Sequence, residues 1–262
     1  LEKNFDKVKI IDCSWHMPQT ERNGFDEYKK NHIKNAIFFD LDKNSKKDID
    51  LPHMLTDAKS WENIVSNMGI KNDDQIVIYD NSDVISSCRC WYNFIYFGHN
   101  PELVHVLDGG LKKWIKEDRA TTSDIIKIIP SNYTVREKKE LVKNINQINK
   151  NILENEFNVI DARSLERFKG SVPEPRKGLR SGSIKNSFCL PFSELINQDH
   201  TFISKEKIYE KFKSTGYETG KNIVFTCGSG VTASVLALAY FLIDNKYMPT
   251  IYDGSWSEYG KN

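Results

Sequence analysis

The sequence predicts an α/β protein built from two tandem copies of one domain, each a mainly parallel sheet flanked by helices. Three observations carry that expectation. Short blocks of sequence recur in the same order in the two halves of the chain. Apolar β-branched runs alternate with stretches of helical period, the pattern of parallel strands joined by crossover helices. The chain has 262 residues, enough for two domains of about 120–130 each.

Taken in order, Val8-Lys-Ile-Ile-Asp12 is matched by Asn158-Val-Ile-Asp161, and His32-Ile-Lys-Asn35 by Ser183-Ile-Lys-Asn186. Apolar segments follow each of the latter, Ala36–Leu41 and Ser187–Phe192. Gln75-Ile-Val-Ile-Tyr-Asp80 is matched by Asn222-Ile-Val-Phe-Thr-Cys227, and Val106-Leu-Asp-Gly-Gly-Leu111 by Ile251-Tyr-Asp-Gly-Ser-Trp256. Helical periodicity is expected over Ala58–Met68, Cys88–Phe97, Lys205–Thr215 and Val231–Asn245. The expected boundaries are a first domain over 1–125, a linker over 126–140 and a second domain over 141–262. Thr121-Thr-Ser-Asp124 and Pro130-Ser-Asn132 mark irregular connection. Glu137–Asn155 carries Leu141, Ile145, Ile148 and Ile152 at helical spacing and is expected to open the second domain as a helix.

Bulk properties exclude several classes. With 37 basic and 36 acidic residues the net charge is +1, so no nucleic-acid or membrane-surface partner is expected. No apolar run approaches the ~20 residues of a membrane span. Neither end carries a signal-peptide pattern, and Leu1 in place of Met leaves the native start open. Five cysteines without a CxxC pair encode neither a disulfide framework nor a zinc ribbon. A reducing, cytoplasmic setting is expected. His32, His99 and His105 lack metal-ligand spacing, so no metal is assigned. Cys13 and Cys189 sit among apolar neighbours and read as core. Cys88 and Cys90 fall two apart on a helix, which reads as burial ahead of a redox role.

The chemistry gathers at Ile223-Val-Phe-Thr-Cys-Gly-Ser-Gly-Val-Thr-Ala233. A buried strand ends at Thr226, two glycines flank Ser229, and Ala233, Leu236, Ala237, Tyr240 and Phe241 then recur at helical spacing. Glycines let the loop curl, a curl turns successive N–H groups inward as an anion nest, and the helix adds its positive end. These conditions make Cys227 a nucleophile ahead of an inert buried cysteine. Asp80 stands at the matching position of the first copy, followed by Asn81-Ser-Asp83 without a glycine cradle. That copy is expected to support, not to catalyse.

On these residues the chain resembles the rhodanese superfamily and, within it, the mercaptopyruvate sulfurtransferases, along nearly its whole length. Phosphatases with a similar strand–Cys loop–helix need an arginine six residues after the cysteine, where this chain has Ala233. Thiosulfate-using members carry basic residues just after the cysteine, where this chain has neutral Gly228 and Ser229. Thiosulfate is therefore the weaker expectation for the donor.

Arg167-Phe-Lys-Gly-Ser-Val-Pro-Glu-Pro-Arg176 is a stiffened loop bearing two arginines. Residue chemistry alone leaves two readings level: forks for the carboxylate and carbonyl of an α-keto acid, or surface ion pairs. The segment resembles the RF-x-G-x-x-PEPR element of the mercaptopyruvate enzymes, which implies that Arg167 and Arg176 bind substrate. Residue chemistry alone leaves two readings of Asp42 and His53, a carboxylate that fixes a histidine able to move a proton to or from a hydroxyl such as Ser229, or a surface histidine in a loop, with the second the stronger. Their Asp-x-Asp…His-Met-Leu setting resembles the family's, which implies an Asp42–His53–Ser229 proton relay contributed in part by the first domain. Gly182-Ser-Ile-Lys-Asn186 departs from the family's Gly-His-Ile-Pro-Gly, which bears on loop geometry and not on chemistry.

The resemblance implies sulfur transfer from 3-mercaptopyruvate through a Cys227 persulfide to a thiol such as thioredoxin, or to cyanide, with release of pyruvate. Gly228, Gly230, Val231 and Thr232 would line the substrate side of the loop. No cofactor is expected. The alternatives are a thiosulfate sulfurtransferase on the same fold, and a non-catalytic module for binding or sulfur relay.

Overall fold

The computed structural model describes residues 1–261. The chain divides into two compact units. The first comprises Leu1–Lys47, Leu55–Lys138 and Gln198–Thr201; the second comprises Asp48–Met54, Lys139–Asn197 and Phe202 onward. Each unit thus takes in one short segment from the other half of the chain.

In the first unit, strands β1 (Lys9–Asp12), β2 (Ala36–Phe38), β3 (Ile76–Tyr79) and β4 (Val104–Val106) form a sheet of order β2-β1-β3-β4. All pairings are parallel. Parallel strands buried on both faces need near-continuous apolar sequence, and Ile10, Ile11, Ile76 and Ile78 have no exposed surface. The connecting helices are α1 (Gly24–Lys30), α2 (Ala58–Asn67), α3 (Ser87–Tyr96) and α4 (Gly110–Lys116). Asp57 caps α2 by accepting from the Ser60 N–H, which fixes its start. Trp61 of α2 stacks on Phe97 (centroids 4.7 Å apart) and meets Phe94 edge-on. Every residue of α3 is buried, Cys88 and Cys90 included.

The second unit repeats the plan with one strand more. Strands β5 (Val142–Lys143), β6 (Phe157–Asp161), β7 (Phe188–Cys189), β8 (Asn222–Thr226) and β9 (Thr250–Tyr252) lie in the order β5-β9-β8-β6-β7, again all parallel. Read from β7, that is the order of the first unit with β5 added beyond β9. Helices α5 (Ile145–Glu154), α6 (Leu165–Lys169), α7 (Lys205–Ser214), α8 (Val231–Ile243) and α9 (Ser255–Tyr259) complete it. The register reproduces the sequence repeat. Asp12 pairs with Tyr79 and Asp161 with Thr226, so Asp80 and Cys227 each stand one residue beyond the same strand position.

Two expectations are corrected. The helix expected over Glu137–Asn155 begins only at Ile145, because Asn144 and Gln147 form a reciprocal capping box that stops it there. The residues before it form a short 3-10 turn (Lys139–Leu141) and strand β5. Cys189 is half-buried and not core, since β7 is the edge strand of its sheet. Among the described residues no helix is long and apolar enough to cross a membrane.

Candidate active site

Cys227 follows β8 directly and is 2% exposed. Gly230 takes φ +80 immediately before α8, a left-handed conformation that glycine adopts without steric cost. The loop between them is held from the turn after β9. The Trp256 N–H donates to the Cys227 carbonyl at 2.9 Å. The Gly228 carbonyl accepts from the Ser257 N–H (2.9 Å) and the Ser257 hydroxyl (2.6 Å). Ser255 Oγ accepts from the N–H groups of Cys227 (3.3 Å) and Gly230 (3.1 Å) and donates to the Tyr252 carbonyl (2.9 Å). Ser255 is fully buried at φ +51.

This corrects one detail of the expected cradle. The Gly230 N–H is taken by Ser255 because the turn after β9 delivers a hydroxyl to it; the contribution of Gly230 is its backbone conformation. Val231 opens the thirteen-residue helix α8, whose positive end lies at the loop, and the half-buried Thr232 follows in its first turn. Gly228 faces the arginines. A Cβ built on it would lie 3.3 Å from Arg167 Nη2 and 3.5 Å from Arg176 Nη1. Both arginines therefore reach the cysteine loop, and a side chain at 228 would crowd them.

Arg167 lies on α6, which Ser164 caps and Gly170 ends in a left-handed turn. Its guanidinium forks onto Glu174, with Nε 3.2 Å from Oε1 and Nη2 2.6 Å from Oε2. Glu174 also accepts from Arg163 Nη1 at 2.8 Å. Arg163 in turn grips Asp161 at the end of β6, with Nη2 2.7 Å from Oδ2, and lies 4.2 Å from the Trp256 ring centroid. Burial works against the Arg163 charge, but Asp161 and Glu174 outweigh it and hold the guanidinium protonated. Arg163, Glu174 and Ser255 were not singled out from sequence. Glu174 lay in plain view between the two arginines, and Ser255 was visible in the repeat as the serine facing Gly110.

Ser229 Oγ joins the arginine loop to the histidine. It accepts from Arg176 Nη2 at 3.2 Å and lies 2.9 Å from His53 Nδ1. A guanidinium only donates, so the Ser229 hydroxyl can direct its own proton to His53. His53 is 5% exposed and belongs to the Asp48–Met54 segment of the second unit, where Lys261 Nζ holds the Asp50 carbonyl and carboxylate (2.8 and 2.7 Å). Asp42 belongs to the first unit, where its Oδ2 accepts from Trp15 Nε1 at 3.0 Å. The second unit thus brings together Cys227, Ser229, His53, Arg167 and Arg176. Chemically that is a sulfur nucleophile, a hydroxyl–imidazole pair able to move a proton, and two cations for an anionic substrate.

The chain as a whole is similar to known proteins. A mitochondrial thiosulfate/3-mercaptopyruvate sulfurtransferase of Arabidopsis thaliana is 37% identical over 96% of this chain and 71% of its own length. The 3-mercaptopyruvate sulfurtransferase of Mus musculus is 35% identical over 96% and 84%. The crystal structure of SseA from Escherichia coli, presented with the rhodanese fold of 3-mercaptopyruvate sulfotransferases, superposes with a TM-score of 0.87 at 30% identity, covering 98% of this chain and 97% of that one. The rhodanese-like domain model matches twice, over residues 1–117 and 138–262, the two halves in which the sequence repeat and the repeated strand order were found. The chain belongs to the rhodanese-like family, as a tandem of two such domains.

Proposed function

We propose that the protein is a 3-mercaptopyruvate sulfurtransferase in which Cys227 carries the sulfur. The observation that carries the reading is the convergence of both arginines, Ser229 and His53 on the Cys227 loop. In the proposed reaction Arg167 and Arg176 hold the keto acid by its carboxylate and carbonyl oxygen. The Cys227 thiolate attacks the substrate sulfur. An S–S bond forms, the C–S bond breaks, and its electron pair stays on carbon as the pyruvate enolate. The enolate takes one proton, supplied through Ser229 and His53. The start of α8 and the loop N–H groups that Ser255 does not occupy stabilise the negative sulfur in both halves of the cycle. An acceptor, a thiol such as thioredoxin or cyanide, then attacks the outer sulfur. It leaves as a persulfide or thiocyanate and returns the Cys227 thiolate. No redox cofactor or metal enters this balance. A reducing compartment such as the cytoplasm belongs to the same proposal, because the resting cysteine must remain a thiol.

The reading is tested by following pyruvate release from 3-mercaptopyruvate with cyanide or reduced thioredoxin as acceptor, beside sulfite release from thiosulfate. Faster turnover of 3-mercaptopyruvate at equal concentration supports it. Preference for thiosulfate would reassign the donor, and turnover of neither would leave a binding or relay module.

A further inference from the structure

Arg167 does not meet the substrate side as a bare cation. Its Nε and one Nη2 proton are already engaged by Glu174, whose side chain is 2% exposed. Behind Glu174 stands Arg163, itself matched by Asp161 at the end of β6 with both side chains buried. In the series Asp161–Arg163–Glu174–Arg167 the charges cancel in pairs. The series runs from a rigid strand end to a guanidinium within 3.3 Å of a Cβ position on Gly228. A bidentate fork fixes both the direction and the plane of the guanidinium, so the protons left to Arg167 lie in a plane, and at angles within it, set by Glu174.

We propose, on the sulfurtransferase reading above, that Glu174 is a positioning residue. It aims Arg167 at the sulfur donor and cancels its charge at the Cys227 loop, which favours a monocarboxylate donor over a dianion. The physical basis is that an arginine with a buried carboxylate at its back offers directed hydrogen bonds with little net field. A monoanionic keto acid uses such bonds fully. A dianion such as thiosulfate depends more on uncompensated positive charge and gains less from a countered arginine. The proposal makes donor choice a property of the carboxylate behind Arg167 as well as of the neutral residues after Cys227.

The test compares Glu174→Gln and Glu174→Asp with the wild type on both donors, with melting temperatures recorded alongside. Glu174→Gln keeps the shape and removes the charge. Its kcat/KM for thiosulfate relative to 3-mercaptopyruvate should rise about ten-fold, mostly through the two KM values. Glu174→Asp keeps the charge and shortens the reach, so it should raise KM for both donors while leaving their ratio near that of the wild type. A merely structural glutamate would lower both activities together with the melting temperature and leave the ratio unmoved, and that result overturns the proposal. It is equally overturned if Glu174→Asp shifts the ratio in the manner expected for Gln. Should Gln fold too poorly to assay, Glu174→Asp decides by its KM–kcat split: raised KM values with kcat and melting temperature near wild type support the proposal, whereas a fall in kcat and melting temperature with unmoved KM values overturns it. A wild type inactive on both donors would sink the sulfurtransferase reading and this proposal with it, whereas an unchanged ratio on an active wild type sinks this proposal alone.

Discussion

The loops after β3 and β8 occupy the same place in two copies of one domain, yet one opens on a carboxylate and the other on a thiol. In the first copy Asp80 points its own carboxylate into the nest. Oδ1 accepts from the Ser82 N–H at 2.7 Å and Oδ2 from the Ser87 N–H at the start of α3 at 2.9 Å. Burial pushes the Asp80 pKa up in spite of these bonds. In the second copy the corresponding carboxylate is absent and the short loop from Cys227 to Val231 leads straight into α8. The turn that holds each loop is shared: the Leu111 N–H donates to the Asp80 carbonyl just as the Trp256 N–H donates to the Cys227 carbonyl, both at 2.9 Å. Before those donors stand Gly110 at φ +54 and Ser255 at φ +51. Serine resists that conformation where glycine does not. The copy with the cysteine keeps the strained residue, and its hydroxyl binds two loop N–H groups. The lesson is that one backbone frame serves as a closed structural element when it supplies its own anion, and as a reactive site when the anion must come from cysteine sulfur or substrate.

The largest effect is expected from making the second loop resemble the first. Cys227→Asp should abolish sulfur transfer, by at least about a thousand-fold, while the protein still folds; residual turnover within ten-fold of wild type would break the comparison. The reciprocal Asp80→Cys should gain no persulfide from either donor, because Ser86 at φ −65, and not a left-handed glycine like Gly230, stands before the helix there. Next in size is Ser255→Gly, which gives the second copy the residue of the first. It relieves the left-handed strain but frees the Cys227 and Gly230 N–H groups, so kcat should fall about ten- to a hundred-fold with the melting temperature nearly unchanged. An unaltered kcat would mean that the hydroxyl is incidental.

A smaller effect, confined to stability, is expected of Asp80→Ala. Two buried N–H groups lose their acceptor, at a cost of about 2–4 kcal/mol in denaturant unfolding, and Cys227 loading should persist. The smallest concerns the paired strand ends. Asp161 has Arg163 two residues on, whereas Asp12 has Ser14, and burial raises the Asp12 pKa from 3.8 to about 6. A carboxyl that holds its proton more tightly when folded lends stability below about pH 4 that is lost as the pH rises through 6. Asp12→Asn should flatten that slope, a swing of about 1–3 kcal/mol, and unfolding curves at pH 4, 6 and 8 would show it.

Much of this was legible in the sequence because it is local. Gly228 and Gly230 around Ser229, the apolar strand before Cys227 and the order of the repeated blocks each depend on a few neighbouring residues, and the strands and helices follow them closely. The start of α5 is equally local: the Asn144–Gln147 capping box fixes it, and the hydrophobic spacing that runs back to Leu141 does not. What could not be read arises from long-range placement. Ser255 reaches the cysteine loop only because β9 pairs with β8 in one register. Glu174 sits among arginines in sequence, and nothing local tells a buried fork from a surface ion pair. The exchange of Asp48–Met54 and Gln198–Thr201 between units has no signature in periodicity or composition.

The most direct test of the central claim is the intact mass of the protein after brief exposure to 3-mercaptopyruvate or thiosulfate, on wild type and Cys227→Ser. Sulfur transfer through Cys227 predicts a gain of one sulfur, ~32 Da, on wild type alone and faster with 3-mercaptopyruvate. Equal loading of the Cys227→Ser variant, or no loading of wild type by either donor, would contradict it.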